Sequence, residues 1–149
     1  MKLSIELTDG ALEDEVIIRC SHVDDSIHKL QEFVRSLNTP RLTFYKDSKE
    51  FYLPLDDILF FETNGEQVFA HTPGDAFKVK LRLYELEEIL PHPFVRAAKG
   101  TIVNTKRVYA IDRNLTSSSK ISFIGTHKHI YVSRHYYSAL KEKINERSV

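Results

Sequence analysis

Apolar and polar positions alternate with a period of two along much of this 149-residue chain. Leu3-Ser4-Ile5-Glu6-Leu7 alternates as a half-buried strand does, and Asp9-Gly10 signals a turn. Glu15 to Cys20 reads as a second strand around Val16-Ile17-Ile18, with Cys20 a small core residue on the face of Val16 and Ile18. The period then lengthens. Ile27, Leu30, Val34 and Leu37 recur at helical spacing beside Phe33. Asp24 is placed to cap that helix, and Asn38-Thr39-Pro40 to end it.

From Arg41 onward the pattern is one of short strands. Leu42 to Lys46 and Glu50 to Leu53 flank Asp47-Ser48-Lys49, a hairpin turn by composition. Ile58-Leu59-Phe60-Phe61 is a buried strand bounded by Asn64-Gly65. Gln67 to Thr72 and Ala76 to Leu81 form a hairpin around Pro73-Gly74-Asp75. Leu83, Leu86, Ile89 and Leu90 mark a short helix that Pro91 ends. Phe94 to Ala97, Val108 to Asp112, Lys120 to Ile124 and His129 to Val132 read as further strands. Ser133 is placed to cap a last helix with Tyr137, Leu140 and Ile144 on one face. The predicted class is α+β, mostly antiparallel β, preceded by a small β-β-α N-terminal segment. Residues 1–40 form that segment and residues 41–149 the main domain.

Composition adds boundaries. Hydrophobic residues make up 42% of the chain and charged residues 28%, as in an ordinary globular protein. The start, MKLSIELTDG, lacks the apolar core of a signal peptide, and one cysteine excludes an intramolecular disulfide, so a soluble cytoplasmic protein is expected.

The net charge of zero hides a gradient. Residues 1–38 carry 4 basic and 8 acidic groups, residues 39–95 carry 6 and 10, and residues 96–149 carry 11 and 3. Clustered cations suit a polyanion, either nucleic acid or an acidic protein partner. Enzyme signatures are missing: there is no GxGxxG, GxxxxGKS/T or GxSxG. Asp56-Asp57 reads as a turn, since adjacent strand residues face opposite ways. His127 and His129 lack a nearby third ligand, so no metal or other cofactor is expected.

The basic positions carry more. Arg96 lies in an alternating strand, where it either pairs with a carboxylate or reaches a partner. Lys99 lies just before the apolar run Ile102-Val103, at a strand end from which a cation reaches a guanine edge or a phosphate. Arg134 and His135 follow Ser133 in a first helical turn, where free amides favour an anion. Cations there oppose the helix dipole, which makes a purely structural role less attractive.

At these residues the chain resembles the LytTR family of DNA-binding domains. The family's strand-turn F-x-R-x-H-R/K-S-x-x-V-N is spelled here Phe94-Val95-Arg96-Ala97-Ala98-Lys99-Gly100-Thr101-Ile102-Val103-Asn104. Its ending V-S-R-R-Y is spelled Val132-Ser133-Arg134-His135-Tyr136. LDDILFFET, from Leu55 to Thr63, matches the strand before the first DNA-facing loop, and Leu83 to Leu90 the family's internal helix. The resemblance covers about residues 41–144. It implies an elongated, mostly β fold that reads double-stranded DNA with loops in successive major grooves, without a helix-turn-helix. It assigns Glu66, Gln67, Lys99, Gly100, Arg134 and His135 to the DNA face. Ala98, Gly100 and His135 stand where relatives commonly carry histidine, serine and arginine. Gly100 then offers a phosphate its backbone amide, and His135 a weaker guanine contact than arginine gives.

Residues 1–40 are too short for the receiver domain many family members carry. The resemblance therefore suggests a stand-alone, bacterial transcriptional regulator and no enzyme. It also suggests a homodimer and a membrane-bound inhibitory partner, either of which residues 1–40 would serve. An edge cover for the sheet is the simpler role for that segment. A protein-interaction module whose basic face binds an acidic partner is the alternative reading.

Overall fold

The computed structural model describes residues 1–10, 14–37 and 40–146, in two compact units, residues 1–38 and 39–149. The first unit contains helix α1 (Asp25–Leu37). Asp24 caps it: its Oδ1 accepts from the Ile27 amide at 3.1 Å and the Ser26 hydroxyl at 2.6 Å. The Ser26 bond, then the Ile27 amide, hold the Asp24 carboxyl below the usual carboxylate range. Asn38-Thr39, read as the helix end, lie outside the described residues.

The two N-terminal strands are not formed. Residues 1–8 and 14–20 adopt no strand, and Leu3, Ile5 and Leu7 are 82–97% exposed. Alternation supplies a face but no ladder partner, and backbone groups without one stay in water. Cys20, expected in a small core there, is exposed for the same reason. Of the β-β-α segment, the helix is present.

The second unit is a pair of antiparallel sheets with two helices. In chain order its elements are β1 (Phe44–Lys46), β2 (Lys49–Phe51), β3 (Phe60–Asn64), β4 (Gln67–His71), β5 (Ala76–Val79), α2 (Leu83–Ile89), β6 (Phe94–Ala98), β7 (Thr101–Asn104), β8 (Val108–Asp112), β9 (Ser119–Phe123), β10 (His129–Val132) and α3 (Arg134–Glu146). The larger sheet has seven strands in the order β2-β1-β5-β4-β3-β7-β6, and the smaller has three in the order β10-β9-β8. β7 belongs to a short run whose apolar pair, Ile102-Val103, gives too little alternation to read as a strand without its neighbours. Asp47 and Ser48, at φ 50° and 64°, form the left-handed two-residue turn that suits the twist of the β1–β2 hairpin.

β3 explains its unbroken apolar run by being buried on both faces. Ile58 and Phe61 enter a core with Phe44, Val68, Phe77, Leu86 and Ile102, beneath α2. Leu59 and Phe60 enter a second core with Ala97, Val103, Ile121, Val132 and Leu140, beneath the small sheet and α3. Phe60 and Phe61, successive residues of β3, face opposite sides, while Ile58 and Leu59 precede the strand and divide between the same two cores. Asp56-Asp57 lie in a 3-10 turn, where Arg107 Nε donates to the Asp56 carbonyl at 2.6 Å.

The small sheet is fastened to the large one through the β9–β10 loop. Thr126 Oγ1 donates to the Pro73 carbonyl at 2.9 Å, and Lys128 Nζ to the Asp75 carbonyl at 2.5 Å. Lys128 Nζ also lies 3.2 Å from His71 Nδ1, and His71 Nε2 lies 2.9 Å from Glu62 Oε1. The His71 ring stacks on Phe60 with centroids 4.4 Å apart. Burial pushes the His71 imidazole below its usual range, against the pull of Glu62 and with the help of Lys128. A neutral ring fits the geometry: Nδ1 accepts from the Lys128 ammonium and Nε2–H donates to Glu62.

A pH dependence follows. The unfolded chain, with His71 near its ordinary value of about 6.5, takes up a proton before the folded state does. Stability is therefore full above that value, falls as pH drops from it toward the lower folded value, and levels off below. Urea unfolding midpoints measured from pH 8 to 5.5 should show this loss, and His71→Gln should flatten it.

Candidate nucleic-acid interface

Register brings the predicted site residues to one end of the large sheet. Asn64 pairs with Gln67 across the β3–β4 hairpin, leaving Gly65-Glu66 as its two-residue turn. Gly65 at φ 67° takes the left-handed first position that such a turn asks of glycine. Glu62 pairs with Thr101, and the Thr63 amide donates to the Gly100 carbonyl at 2.9 Å. The β6–β7 turn carrying Lys99 and Gly100 thus lies beside the end of β3. The Ser133 amide donates to the Ala97 carbonyl at 3.0 Å, which sets the start of α3 against β6 two residues before Lys99. Glu66, Gln67, Lys99, Arg134 and His135 are exposed, and Gly100 is half-buried.

Gly100 is at its position because space is short. A Cβ on residue 100 would stand 2.5 Å from Thr63 Oγ1. A side chain larger than glycine here would force Thr63 to turn away.

Ser133 does not cap α3 through its side chain. Its hydroxyl is buried and has no hydrogen-bond partner among the described residues. The backbone makes the junction instead, with the Tyr136 amide donating to the Ser133 carbonyl at 3.1 Å. The His135 ring meets the Tyr136 ring edge-on at 4.9 Å.

The cations divide into two groups. Arg96 Nη1 lies 2.6 Å from Glu87 Oε2, while Nε and Nη2 donate to the Ala98 and Lys99 carbonyls at 3.1 and 2.8 Å. Arg107 is bound to Asp56 and Asp57, and Lys128 to the Asp75 carbonyl and His71. These three hold the fold together. Among the described residues, the side chains of Lys99 and Arg134 enter no ion pair and stay open to a ligand.

Sequence reasoning missed cations from the acidic middle of the chain. Val68 pairs with Val79, so Lys80 lies at the Gln67 end of the sheet, with exposed Arg82 two residues on. Lys80 Nζ sits 4.3 Å from the Tyr45 ring centroid. The signal was legible: Phe77-Lys78-Val79-Lys80-Leu81-Arg82 alternates apolar with basic, which puts its lysines on the sheet face opposite buried Phe77 and Val79.

No two α-helices follow one another in sequence within the second unit, so it contains no helix-turn-helix among the described residues. Paired antiparallel sheets whose turns converge with a helix start make the second unit an α+β domain. The family model of the LytTr DNA-binding domain matches residues 48–145. The chain belongs to the LytTR family of DNA-binding domains. It is 29% identical over 148 residues, 97% of this chain and 99% of the relative, to an uncharacterised HTH-type transcriptional regulator of Staphylococcus aureus strain NCTC 8325. A relative of the same description from strain MRSA252 is 28% identical over the same span. The LytTr DNA-binding domain of a Bacillus cereus protein shares the fold, with a TM-score of 0.64 at 20% identity over 70% of this chain and 97% of that one.

The Gly100 contact is open to a direct measurement. Gly100→Ala should destabilise the protein by about 1 kcal/mol in denaturant unfolding. Most of that loss should vanish in a Thr63→Ala background, where the obstructing oxygen is gone.

Proposed function

We propose that this protein is a bacterial, cytoplasmic transcriptional regulator that binds specific double-stranded DNA sites with turns rather than a recognition helix. The observation that carries this reading is the convergence of exposed Glu66-Gln67, Lys99-Gly100 and Arg134-His135 at one sheet end. Lys99 and Arg134 supply donors for guanine edges, Gln67 pairs with adenine, and Glu66 accepts from a cytosine amino group. Lys80 and Arg82 reach phosphates beside them, and the Gly100 amide is offered to another. Phosphate contacts provide most of the affinity and base contacts the register. The β3–β4 turn and the start of α3 enter successive major grooves, with the Lys99 turn between them.

Residues 1–40 carry protein–protein contacts in this reading. Leu3, Ile5, Leu7, Val16 and Ile17 are exposed apolar side chains that a second copy would cover. The curated relatives match over the same stretch, since 97% of this chain is aligned. A homodimer suits a regulator of repeated sites, and a membrane-bound inhibitory partner would compete for the same surface.

Selection of DNA sites from a random pool should enrich one motif. Lys99→Ala should then cost roughly 1–3 kcal/mol on that motif and much less on random DNA. Equal losses on both would reduce Lys99 to a phosphate contact, and a pool that enriches nothing would favour an acidic protein as the partner of the basic face. Sedimentation of the full chain should show a concentration-dependent dimer that Ile5→Asp dissociates. A chain that stays monomeric at every concentration would leave that surface to the membrane-bound partner.

A further inference from the structure

We propose that Arg96 is a positioning residue for DNA recognition: with Glu87 of α2 it fixes the turn that presents Lys99. The proposal rests on the reading of that turn as a DNA contact. Four successive carbonyls of the turn, residues 97 to 100, are each held by a donor. The Ser133 amide holds Ala97 at 3.0 Å, Arg96 Nε holds Ala98 at 3.1 Å, Arg96 Nη2 holds Lys99 at 2.8 Å, and the Thr63 amide holds Gly100 at 2.9 Å. Two of the four bonds come from one guanidinium.

The local backbone needs this support. The β6–β7 ladder slips register between Arg96 and Ala98, leaving Ala97 as an extra residue. A bulge bends its strand and leaves carbonyls outside the ladder. The forked guanidinium suits the task, since its planar donors reach two carbonyls and a carboxylate at once. Its side chain is 18% exposed, so water competes weakly. Glu87 at 2.6 Å orients the fork from the outside and ties the turn to α2. With every carbonyl engaged, Lys99 leaves a backbone that is already ordered before DNA arrives, which lowers the ordering cost of binding.

Two variants test the idea on the full-length protein. Arg96→Lys keeps the charge and loses the fork. It should weaken binding to the selected DNA site roughly tenfold, the scale of a lost charge-assisted hydrogen bond. The dependence of binding on salt should stay as it was, whereas a lost phosphate contact would lower that slope by about 0.9. Glu87→Gln removes a negative charge near DNA, which electrostatics alone would turn into tighter binding; positioning predicts weaker binding. In the free protein both variants should speed amide exchange at Lys99, Gly100 and Thr101, with the melting temperature nearly unchanged. In a Lys99→Ala background, Arg96→Lys should cost little more. Unchanged exchange in both variants, a lower salt slope for Arg96→Lys, or tighter binding by Glu87→Gln would each overturn the proposal. Faster exchange with DNA affinity intact would uphold the clamp on the turn and instead sink the reading of that turn as a DNA contact.

Discussion

The apolar start of β3, Phe60-Phe61, has no free face, and the rest of the second unit is arranged around that fact. Phe60 and Phe61 each need an apolar side, and the two sides are different cores. A slip of one residue along β4 or β7 would turn every inward side chain of that strand outward. β3 therefore dictates where its neighbours sit. Because β4 and β7 flank β3, their turns must end level with each other. The alignment of Gly65-Glu66 with Lys99-Gly100 is a by-product of packing two phenylalanines back to back.

One buried polar residue reinforces that register from the opposite end of β7. Asn104 is fully buried, and its Nδ2 donates to the Ile58 carbonyl at 2.9 Å while its Oδ1 accepts from the Lys106 amide at 3.1 Å. Its own amide donates to the Leu59 carbonyl at 2.8 Å. An apolar residue of the same size would fill the space and leave the Ile58 carbonyl and the Lys106 amide unpaired, at a cost of about 1–3 kcal/mol for each orphaned group. Asn104 thus has a mechanical reason to be at the end of β7.

Much of the second unit was legible in the sequence because its signals are local. Alternation located β1, β2, β4 and β5, Pro91 stopped α2, and Gly65 marked a turn with a definite backbone requirement. What failed was whatever depends on a partner elsewhere in the chain. Leu3 to Leu7 alternates as well as β4 does, yet among the described residues it has no strand to pair with. Ser133 has the right residue type for a cap, but burial leaves its hydroxyl without a bond. Arg96 and Lys99 look alike as cations on a page; Glu87, nine residues from Arg96 in sequence, consumes one and not the other. Lys80 was hidden because charge was counted by segment, and sheet order places it beside Gln67.

The fastening of the small sheet to the large one lies at the β4–β5 turn, where Lys128 and Thr126 meet Asp75 and Pro73. That turn closes the opposite end of β4 from Gln67. The side-chain fastening by Lys128 and Thr126 and the exposed turns of Gly65-Glu66 and Lys99-Gly100 therefore lie at opposite ends of the large sheet. Exposed side chains at the end with those turns, such as Glu66 and Lys99, take no part in the bonds that join the layers, so they can be exchanged with little debt to the scaffold. The exceptions are the positions that brace the turn itself, Thr63, Arg96 and Gly100. Substitutions between those braces can change the chemistry of the exposed end while the layers stay joined.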